Sequence, residues 1–383
     1  MTQEKTKDIQ KTHPPREIGS IELKQDYETF VELSRLSFGS GITTDYAMYD
    51  WYFNQNPYNP PQENMMYVMR ESLSSDAPES GKKVIASDGL YPFDLYIDGK
   101  VYKSAHSVES MTHPDYMRQG IFRQMTENSL AKAKEHGLDL VLGLANSNSY
   151  GAYVKFGWRT LFEKRLFVRP VRIATRLRRR IRIPLLPMVG AFFYGVYDSF
   201  RRMGLRAALK GYRSEVLDAV PAEVEACYLK YRDQFGAHIV RDYRYLNYRY
   251  NQRPDKKYTA ITIRKEGADA SEGFAVVRVC PQKGHSMLTV AEFFCRPSEA
   301  KALAAAVVEF AYGANVEYIT LCIGGNEAMQ SALLQCGFAY NKRPLLNNMM
   351  IAVDISGKVD LDSLDGESRW MMTQGDGESE LHI

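Results

Sequence analysis

At 383 residues the chain is long for a single hydrophobic core and suits two domains. Hydrophobic residues make up 45% of it and charged residues 25%, which is ordinary for a soluble globular protein. The net charge of +3 is too small for the whole protein to bind nucleic acid electrostatically, so we expect no nucleic-acid partner.

The cysteines and the N-terminus indicate the compartment. Five cysteines, an odd number, form no Cys-x-x-Cys pair, which favours buried reduced thiols. The N-terminal residues are polar and charged and contain no apolar signal-peptide core. The longest apolar stretch, 183–197, is shorter than the roughly 20 residues that a membrane span needs. We therefore expect a cytoplasmic protein, and we expect no metal site.

The first half begins with a polar segment, 1–20, which is predicted to be disordered. A helix is predicted over 26–39, where apolar residues recur at helical spacing and Gly39 is typical of a helix end. The apolar positions are Phe30, Leu33 and Leu36. Strands are predicted next over 64–70, 83–97 and 101–112. Asp98-Gly99 is a strong hairpin-turn signal between the last two, and 71–81 is predicted to be a flexible loop.

A helix, a strand, a short helix and a further strand complete this half. The first helix is predicted over 120–136 and ends at Gly137, and a buried strand follows in Leu-Asp-Leu-Val-Leu-Gly-Leu. A short helix is predicted over 149–156, with a strand from Trp158 onward. After residue 215 the order of strands, helix and strand returns, which predicts a second mixed α/β layer.

An internal repeat supports two related halves. Asn146 precedes Tyr153 by 7 positions, and Gly157-Trp158 follows 4 later; Asn326, Leu333 and Gly337-Phe338 repeat this spacing at an offset of 180. The second half has Leu333 where the first has Tyr153, and it has no Arg-Gln-Gly turn before its helix. We therefore predict one working site, in the first half.

The turn at Gly120 carries the first chemical signal. It joins a strand to a helix, and glycine lets the N–H groups of residues 118–123 converge on an anion such as a phosphate. Arg118 and Arg123 can add charged contacts. The segment Thr-His-Pro-Asp-Tyr-Met-Arg-Gln-Gly-Ile-Phe resembles the acyl-CoA site of the GNAT superfamily of N-acetyltransferases. It departs from the family pattern at Met117, where an arginine is usual, and Arg118 stands one position on.

The resemblance implies an acetyl-CoA site built from the strand before the turn and from the helix after it. The strand would pair with the pantetheine arm, the helix N-terminus would hold the pyrophosphate, and Asn146 would contact the coenzyme, although a turn or cap role for Asn146 stays open. The expected coenzyme-binding residues are Ser110, Met111, Thr112, Arg118, Gln119, Gly120, Ile121, Phe122, Arg123 and Asn146.

The resemblance also implies that Tyr153 protonates the leaving thiolate of CoA, which is general acid catalysis; the alternative is a core aromatic. An amine must be neutral to attack a thioester, so a base or a water relay is expected. Strand alternation predicts that His106, Val108, Ser110 and Thr112 share one face and that Glu109 lies on the other. His106 and Glu109 are the candidate bases on this strand, and Asp376 or Glu378 of the tail, near Trp370, are the alternative to a solvated acidic tail.

Arginines cluster on both sides of the apolar stretch 183–197. They are Arg165, Arg169, Arg172, Arg176, Arg178, Arg179, Arg180 and Arg182, followed by Arg201, Arg202 and Arg206. Three interpretations stay open: peripheral contact with an anionic membrane through 165–206, binding of a phosphorylated or nucleotide-linked substrate, or a solvated helical connector.

Together these features predict an α/β (α+β) protein with two tandem GNAT-like domains, each a mixed, mostly antiparallel sheet flanked by helices. The predicted segments are a disordered 1–20, a GNAT domain with the acetyl-CoA site over 21–165, an arginine-rich helical connector over 166–215, a degenerate GNAT-like domain over 216–355 and an acidic tail over 356–383.

The predicted activity is direct transfer of acetyl from acetyl-CoA to a small-molecule amine, for which an amino sugar or glycan precursor is preferred by analogy with related proteins. Aromatic residues near the start of each half fit either an acceptor cleft or the core; they are Tyr46, Trp51, Tyr52, Tyr58, Tyr243, Tyr245, Tyr248 and Tyr250. The alternatives are a Fem-like aminoacyl transferase that uses aminoacyl-tRNA and a non-catalytic acyl-CoA-binding scaffold. The sequence leaves the oligomeric state open.

Overall fold

The structure is a computed structural model that describes residues 14–39, 45–72, 82–174, 185–282, 285–341 and 347–377, with 177, 178, 181 and 183. Most of the segment predicted to be disordered, most of the loop predicted over 71–81, and Glu378 lie outside the described residues. Residues 16–20 of the first segment form a strand, and residues 71–72 of the loop extend another, so both predictions are wrong there, because the two strands pair with each other.

The strands, in chain order, are β1 (Arg16–Ser20), β2 (Met66–Ser72), β3 (Lys82–Ile97), β4 (Lys100–Thr112), β5 (Leu140–Asn146), β6 (Arg159–Glu163), β7 (Leu166–Pro170), β8 (Tyr212–Leu217), β9 (Ala237–Ile239), β10 (Thr259–Lys265), β11 (Ser271–Gln282), β12 (His285–Cys295), β13 (Tyr318–Cys322), β14 (Ala339–Tyr340) and β15 (Asn347–Asp354). The α-helices are α1 (Leu23–Phe38), α2 (Tyr46–Asn54), α3 (Ile121–Glu135), α4 (Tyr150–Lys155), α5 (Leu186–Ala208), α6 (Val224–Tyr231), α7 (Tyr243–Leu246), α8 (Ala300–Gly313) and α9 (Glu327–Gln335).

Two mixed sheets organise the molecule, which confirms the predicted fold class. The first has the order β1-β2-β3-β4-β5-β15-β6, with β9 also paired to β3, and the second has the order β14-β7-β13-β12-β11-β10-β8. Most neighbours are antiparallel, and the central pairs β4–β5 and β12–β13 are parallel. The predicted hairpin between β3 and β4 turns at Asp98 and Gly99, both of which have positive φ.

Each half donates one strand to the sheet of the other half. β15, from the end of the second half, lies between β5 and β6 of the first sheet. β7, which follows β6 in the chain, lies between β13 and β14 of the second sheet. The sheets therefore do not follow the segment bounds predicted at residues 165 and 355, because pairing across the halves fills both gaps.

The internal repeat has matching structure in the two halves. β5, α4 and β6 correspond to β13, α9 and β14 at the offset of 180. Asn146 and Asn326 each accept a hydrogen bond from the backbone N–H three residues on, at 3.0 and 3.1 Å. Leu333 is fully buried at the position that corresponds to Tyr153.

A second repeat, which our sequence analysis missed, joins the halves. Asp-Tyr begins both α2 and α7, and Asn-Gln-x-Pro ends both segments, at an offset of 197. The rings of Trp51 and Tyr248 stack at 4.9 Å in equivalent positions. The indole of Trp51 donates to the Tyr248 carbonyl at 3.2 Å, and the Tyr248 hydroxyl donates to the Trp51 carbonyl at 2.9 Å. These aromatics belong to the core that the two halves share.

The predicted connector and tail need correction. Residues 166–170 of the predicted connector form β7, and β8 begins at Tyr212, so strands form both ends of the predicted connector and α5 lies between them. Leu36, predicted on the apolar face of α1, is 48% exposed. The acidic tail, for which a solvated course and a return to the cleft both stayed open, is buried over residues 370–377, because its polar groups find buried partners, which are described below.

The strand exchange predicts that the two sheets unfold together. Ile351 of β15 is fully buried and lies opposite Gly143 of β5. Ile351→Ala should lower the free energy of unfolding by about 2–5 kcal/mol and should also lower the amide-exchange protection of β12, in the other sheet. Val216→Ala, at an exposed position of β8, is the control and should change the stability by less than about 0.5 kcal/mol. Loss of protection confined to the first sheet would contradict cooperative unfolding.

Candidate active site

The turn before α3 has the geometry of an anion site. Gly120 is the residue before the helix and has left-handed angles, φ 78° and ψ 2°, which glycine adopts without strain. Gln124 N–H donates to the Gly120 carbonyl at 3.1 Å, so the N–H groups of residues 121–123 are the donors that a helix start leaves without intrahelical acceptors. Met117, Arg118, Gln119 and Gly120 are exposed. The turn can therefore reach a phosphate group in solution.

β4 carries a bulge next to this turn. Glu109 has φ 50°, and the pairing with β3 shifts so that Val108 lies opposite Gly89 but Met111 opposite Ser87. The extra residue reverses the alternation of side chains beyond Val108. The prediction that Ser110 and Thr112 share a face with His106 and Val108 is therefore wrong.

The bulge places Ser110 on the same face as Ser107, where both meet Tyr153. The Tyr153 hydroxyl lies 3.1 Å from Ser107 Oγ and 2.9 Å from Ser110 Oγ. The Tyr153 ring packs against Trp158 and against Phe122, with centroids 4.8 and 5.3 Å apart. Tyr153 thus packs as a core aromatic residue does, and it also directs its hydroxyl group toward β4.

The hydroxyl group of Tyr153 lies at the point where two parallel strands part. β4 and β5 pair only over residues 104–107 and 140–143, although both strands continue. Beyond Gly143, β5 pairs with β15 on its other side. The backbone of β4 beyond Ser107 has no β5 partner, so an extended ligand can pair there.

A buried aspartate, which the sequence analysis missed, supports this network. Asp88 accepts hydrogen bonds from Ser110 and, at 3.5 Å, from Ser107. Burial raises the pKa of Asp88 to about 6, and the hydrogen bonds from Ser110, Ser129 and Ser107 oppose the rise. A charged residue inside the apolar strand Val-Ile-Ala-Ser-Asp-Gly-Leu-Tyr is the signal that could have found it.

The other predicted coenzyme residues divide into exposed and structural groups. Ile121 and Met111 are buried, so only their backbone groups can serve a ligand. Thr112 pairs with Ala86 in the sheet, and Arg123 forms an ion pair with Glu127 at 2.7 Å. Asn146 accepts hydrogen bonds from the N–H groups of residues 148 and 149, which is the turn role left open above.

A pocket lies on the opposite face of β4, between the two halves. Its cavity volume is about 20 Å³, room for about one water molecule. Its lining combines both halves and the C-terminal segment: Tyr52, Tyr91, His106, Val108, Ile239, Tyr245, Arg249, Gly375, Asp376 and Gly377. Of the aromatic residues suggested for an acceptor cleft, Tyr52 and Tyr245 line it. Trp51, Tyr248 and Tyr250 are buried core residues.

His106 lies in this pocket. Burial is the main cause that lowers the pKa of His106 to about 4; Asp376 opposes the shift, and nearby Lys164 and Arg249 add to it. His106 is therefore a neutral imidazole at pH 7. Its Nε2 atom has no hydrogen-bond partner among the residues that the structure describes. Glu109, the other candidate base, is buried at the bulge.

A buried ion network holds the C-terminal segment in the pocket wall. The Arg241 guanidinium is fully buried and contacts Glu292 at 2.8 Å and Asp376 at 2.6 Å. Thr373 N–H donates to Asp376 at 2.7 Å, and Arg249 donates to the Gly375 carbonyl at 2.9 Å. A buried cation needs such partners, and the tail supplies one of them. Asp376, suggested from sequence as a base, is an ion-pair partner of Arg241.

The second half has no equivalent anion site before α8. Glu299 stands at the start of that helix, is buried and accepts a hydrogen bond from Tyr212. A carboxylate there repels phosphate. With Leu333 in place of a tyrosine, the second half lacks both features of the first site.

These features allow comparison with known proteins. Residues 20–161 match the family model of the acetyltransferase (GNAT) domain. This segment is similar to a GNAT domain. It contains the Gly120 turn, the bulge of β4 and Tyr153, and it ends within β6, so the inserted β15 comes from outside it. A search of the curated proteins matched none of them.

Solved structures show the same fold along most of the chain. A conserved protein of unknown function from Enterococcus faecalis V583, described as a probable N-acyltransferase, is 13% identical with a TM-score of 0.57, covering 89% of this chain and 72% of its own. A GCN5-related N-acetyltransferase from Anabaena variabilis is 10% identical with a TM-score of 0.58, covering 90% and 74%. One from Kribbella flavida is 14% identical with a TM-score of 0.55, covering 88% and 70%. The two-sheet arrangement is therefore a GNAT-like fold.

Three properties of the described residues concern metal binding, membrane spans and cysteines. Among them, no cluster of three His, Cys, Asp or Glu side chains could hold a metal ion. No helix in that part of the chain is long and apolar enough to cross a membrane. The five cysteines are buried and free, as the sequence predicted.

The raised pKa of Asp88 predicts a pH-dependent cost to stability. The folded protein binds this proton more tightly than the unfolded chain, so stability should fall as pH rises from the ordinary 3.8 through about 6, and then level off. Asp88→Asn cannot ionise. The free energy of unfolding of Asp88→Asn minus that of wild type should therefore rise by about 1–3 kcal/mol across this window. Urea denaturation at several pH values measures it, with the exposed Asp269→Asn as control; a difference that does not change with pH would refute the assignment.

Proposed function

We propose that the protein transfers acetyl from acetyl-CoA directly to the amine of a small molecule. The observation that carries this proposal is the position of the Tyr153 hydroxyl, at the parting of β4 and β5 and close to a helix that begins at a left-handed glycine. The turn at 117–120 and the N–H groups of 121–123 would hold the pyrophosphate. Residues 108–112 of β4, which pair with β3 but have no β5 partner, would hold the pantetheine arm.

The chemical step proposed at the acetyl donor is protonation of the leaving thiolate of CoA. When the amine nitrogen bonds to the acetyl carbon and the C–S bond breaks, the Tyr153 hydroxyl would donate its proton to the sulfur, which is general acid catalysis. The proton that the nitrogen loses would return to the tyrosinate, directly or through water, and leave the amide and the CoA thiol. Ser107 and Ser110 position that hydroxyl, and Asp88 in turn orients the two serines. The donor would therefore occupy the α3 face of β4.

The acceptor would enter from the other face, through the pocket between the halves. Tyr52, Tyr91 and Tyr245 offer aromatic surfaces, and neutral His106 offers an acceptor nitrogen for the attacking amine. A polar, sugar-like amine fits such a lining. Binding the two substrates on opposite faces of one strand would bring them together at the parting of β4 and β5.

Calorimetry with acetyl-CoA tests the donor site. Wild type should bind with micromolar affinity, Gly120→Glu should lose binding because a carboxylate replaces the space for phosphate, and Tyr153→Phe should retain it. Gly267→Glu is a matched control, since Gly267 also has φ 78° with open space around it. Absence of binding by wild type would refute the proposal and favour an aminoacyl-tRNA donor.

Turnover of an amine panel tests the role of Tyr153. Tyr153→Phe should lower kcat by about 10²–10⁴-fold, the range for loss of a general acid, with little change in acetyl-CoA affinity. Tyr150→Phe removes a neighbouring hydroxyl, which contacts Thr160 at 2.9 Å, and should keep full activity. Tight coenzyme binding without turnover by wild type would favour the scaffold alternative.

The pH dependence of catalysis tests His106. A base with a pKa of about 4 is too weak to deprotonate an ammonium ion, so the acceptor must bind as the neutral amine. With two amines of different pKa, the rise of kcat/KM with pH should follow the pKa of each amine. A rise at one fixed pH for both amines would instead indicate a protein base.

A further inference from the structure

Helix α5 turns an apolar face to the solvent. The outward residues are large and strongly exposed: Phe192 and Phe193 are each 66% exposed, Phe200 is 70% and Met203 is 66%. Further exposed members of the same face are Leu185, Leu186, Met188, Val189 and Val196. Soluble monomers rarely expose a contiguous apolar patch of this size without an interaction partner.

The opposite face holds the helix against the second half. Pro187, Asp198 and Leu205 are its buried residues. Asp198 forms a buried ion pair with Arg169 of β7 at 2.8 Å, and the Tyr194 hydroxyl donates to the Pro170 carbonyl at 2.8 Å. Arg202 binds Glu309 of α8 at 3.0 Å. These ion pairs and this hydrogen bond fix the rotation of α5 about its axis, so its apolar face points toward the solvent.

The exposed apolar residues form one continuous stripe. They recur at intervals of three and four residues from Val189 to Met203, which places them on one side of a helix. At about 1.5 Å per residue this stripe is about 20 Å long. The stripe runs parallel to the helix axis, so its whole length can lie against a flat surface.

The segment of the chain that contains the stripe is strongly basic. Residues 165–210 contain eleven arginines and Lys210 against one acidic residue, Asp198, which is buried and paired, and Arg202 and Arg206 pair with Glu309 of α8. Arg176, Arg179, Arg180 and Arg182 lie outside the described residues. Among the described ones, Arg172, Arg178, Arg206 and Lys210 are exposed. Leu177 lies 3.1 Å from the position of a Cβ at Gly190, so Arg178 lies beside α5.

We propose that α5 docks the protein on an anionic phospholipid surface. The helix would lie in the plane of the interface, with the phenylalanines among the acyl chains and the basic side chains among the phosphates, as interfacial amphipathic helices do. A second copy of the chain fits this face less well, because pairing α5 with α5 would bring two basic clusters together. This inference does not depend on the proposed transferase activity.

Vesicle co-sedimentation tests the proposal with the full-length protein. Wild type should bind vesicles of phosphatidylcholine with phosphatidylglycerol, and should bind phosphatidylcholine alone at least about tenfold more weakly. The double variant Phe192→Asp/Phe200→Asp should lose binding by more than about tenfold. Val101→Asp/Val216→Asp, at exposed positions away from α5, is the matched control and should bind like wild type. Circular dichroism confirms that both variants are folded.

The charge is tested separately. Arg178→Gln and Lys210→Gln should each lower binding about fivefold, because a basic residue near an anionic leaflet contributes about 1 kcal/mol. Wild type that fails to bind, that binds neutral vesicles equally well, or that binds no worse after Phe192→Asp/Phe200→Asp would overturn the proposal. A dimer in analytical ultracentrifugation that this double variant separates, without vesicle binding, would also overturn it and assign the face to a second copy.

Discussion

The exchange of β7 and β15 is the constraint on which the rest of the structure depends. In each sheet the strand next to one edge strand comes from the other half of the chain: β15 lies between β5 and β6, and β7 lies between β13 and β14. Loss of either strand would expose unpaired backbone on both sides of the gap, which is costly in a protein interior. The halves are therefore one folding unit, although each repeats the same order of elements.

That constraint also builds the site. β15 pairs with β5 beyond the point where β5 leaves β4, and so it holds open the parting at which Tyr153 lies. The segment after β15 returns to the junction of the halves, where Asp376 meets Arg241 and Glu292. The second half has lost the anion site and the tyrosine, and what it supplies is Tyr245, Arg249 and the buried arginine that holds the tail in the pocket wall. A degenerate repeat is thus retained as part of the wall of the remaining site.

Sequence patterns predicted the local features well where the cause is local. Asp98-Gly99 specifies its hairpin because both residues tolerate positive φ, and Gly120 begins α3 for the same reason. The offset of 180 predicted equivalent helices because the spacing of asparagine, buried side chain and glycine turn is set by helix geometry. The bulge at Glu109 was not predicted, and one extra residue was enough to reverse the assignment of Ser110 and Thr112 to a face. Asp88 was missed because its role becomes clear only when the hydroxyl groups that donate to it, those of Ser107 and Ser110, are known.

By itself the sequence determined most of the elements around the site, the two related halves, the glycine turn and the tyrosine, because helical and strand periodicity and turn chemistry act over a few residues. Only the tertiary structure decided which sheet β7 and β15 join, since the pairing partners of a strand depend on which strands lie next to it in the folded protein. It likewise decided that the acidic tail is buried, because the attraction of Asp376 for Arg241 joins residues 135 positions apart in the chain. It decided, finally, that the apolar side of α5 faces outward, because the ion pair between Asp198 and Arg169 fixes the rotation of the helix.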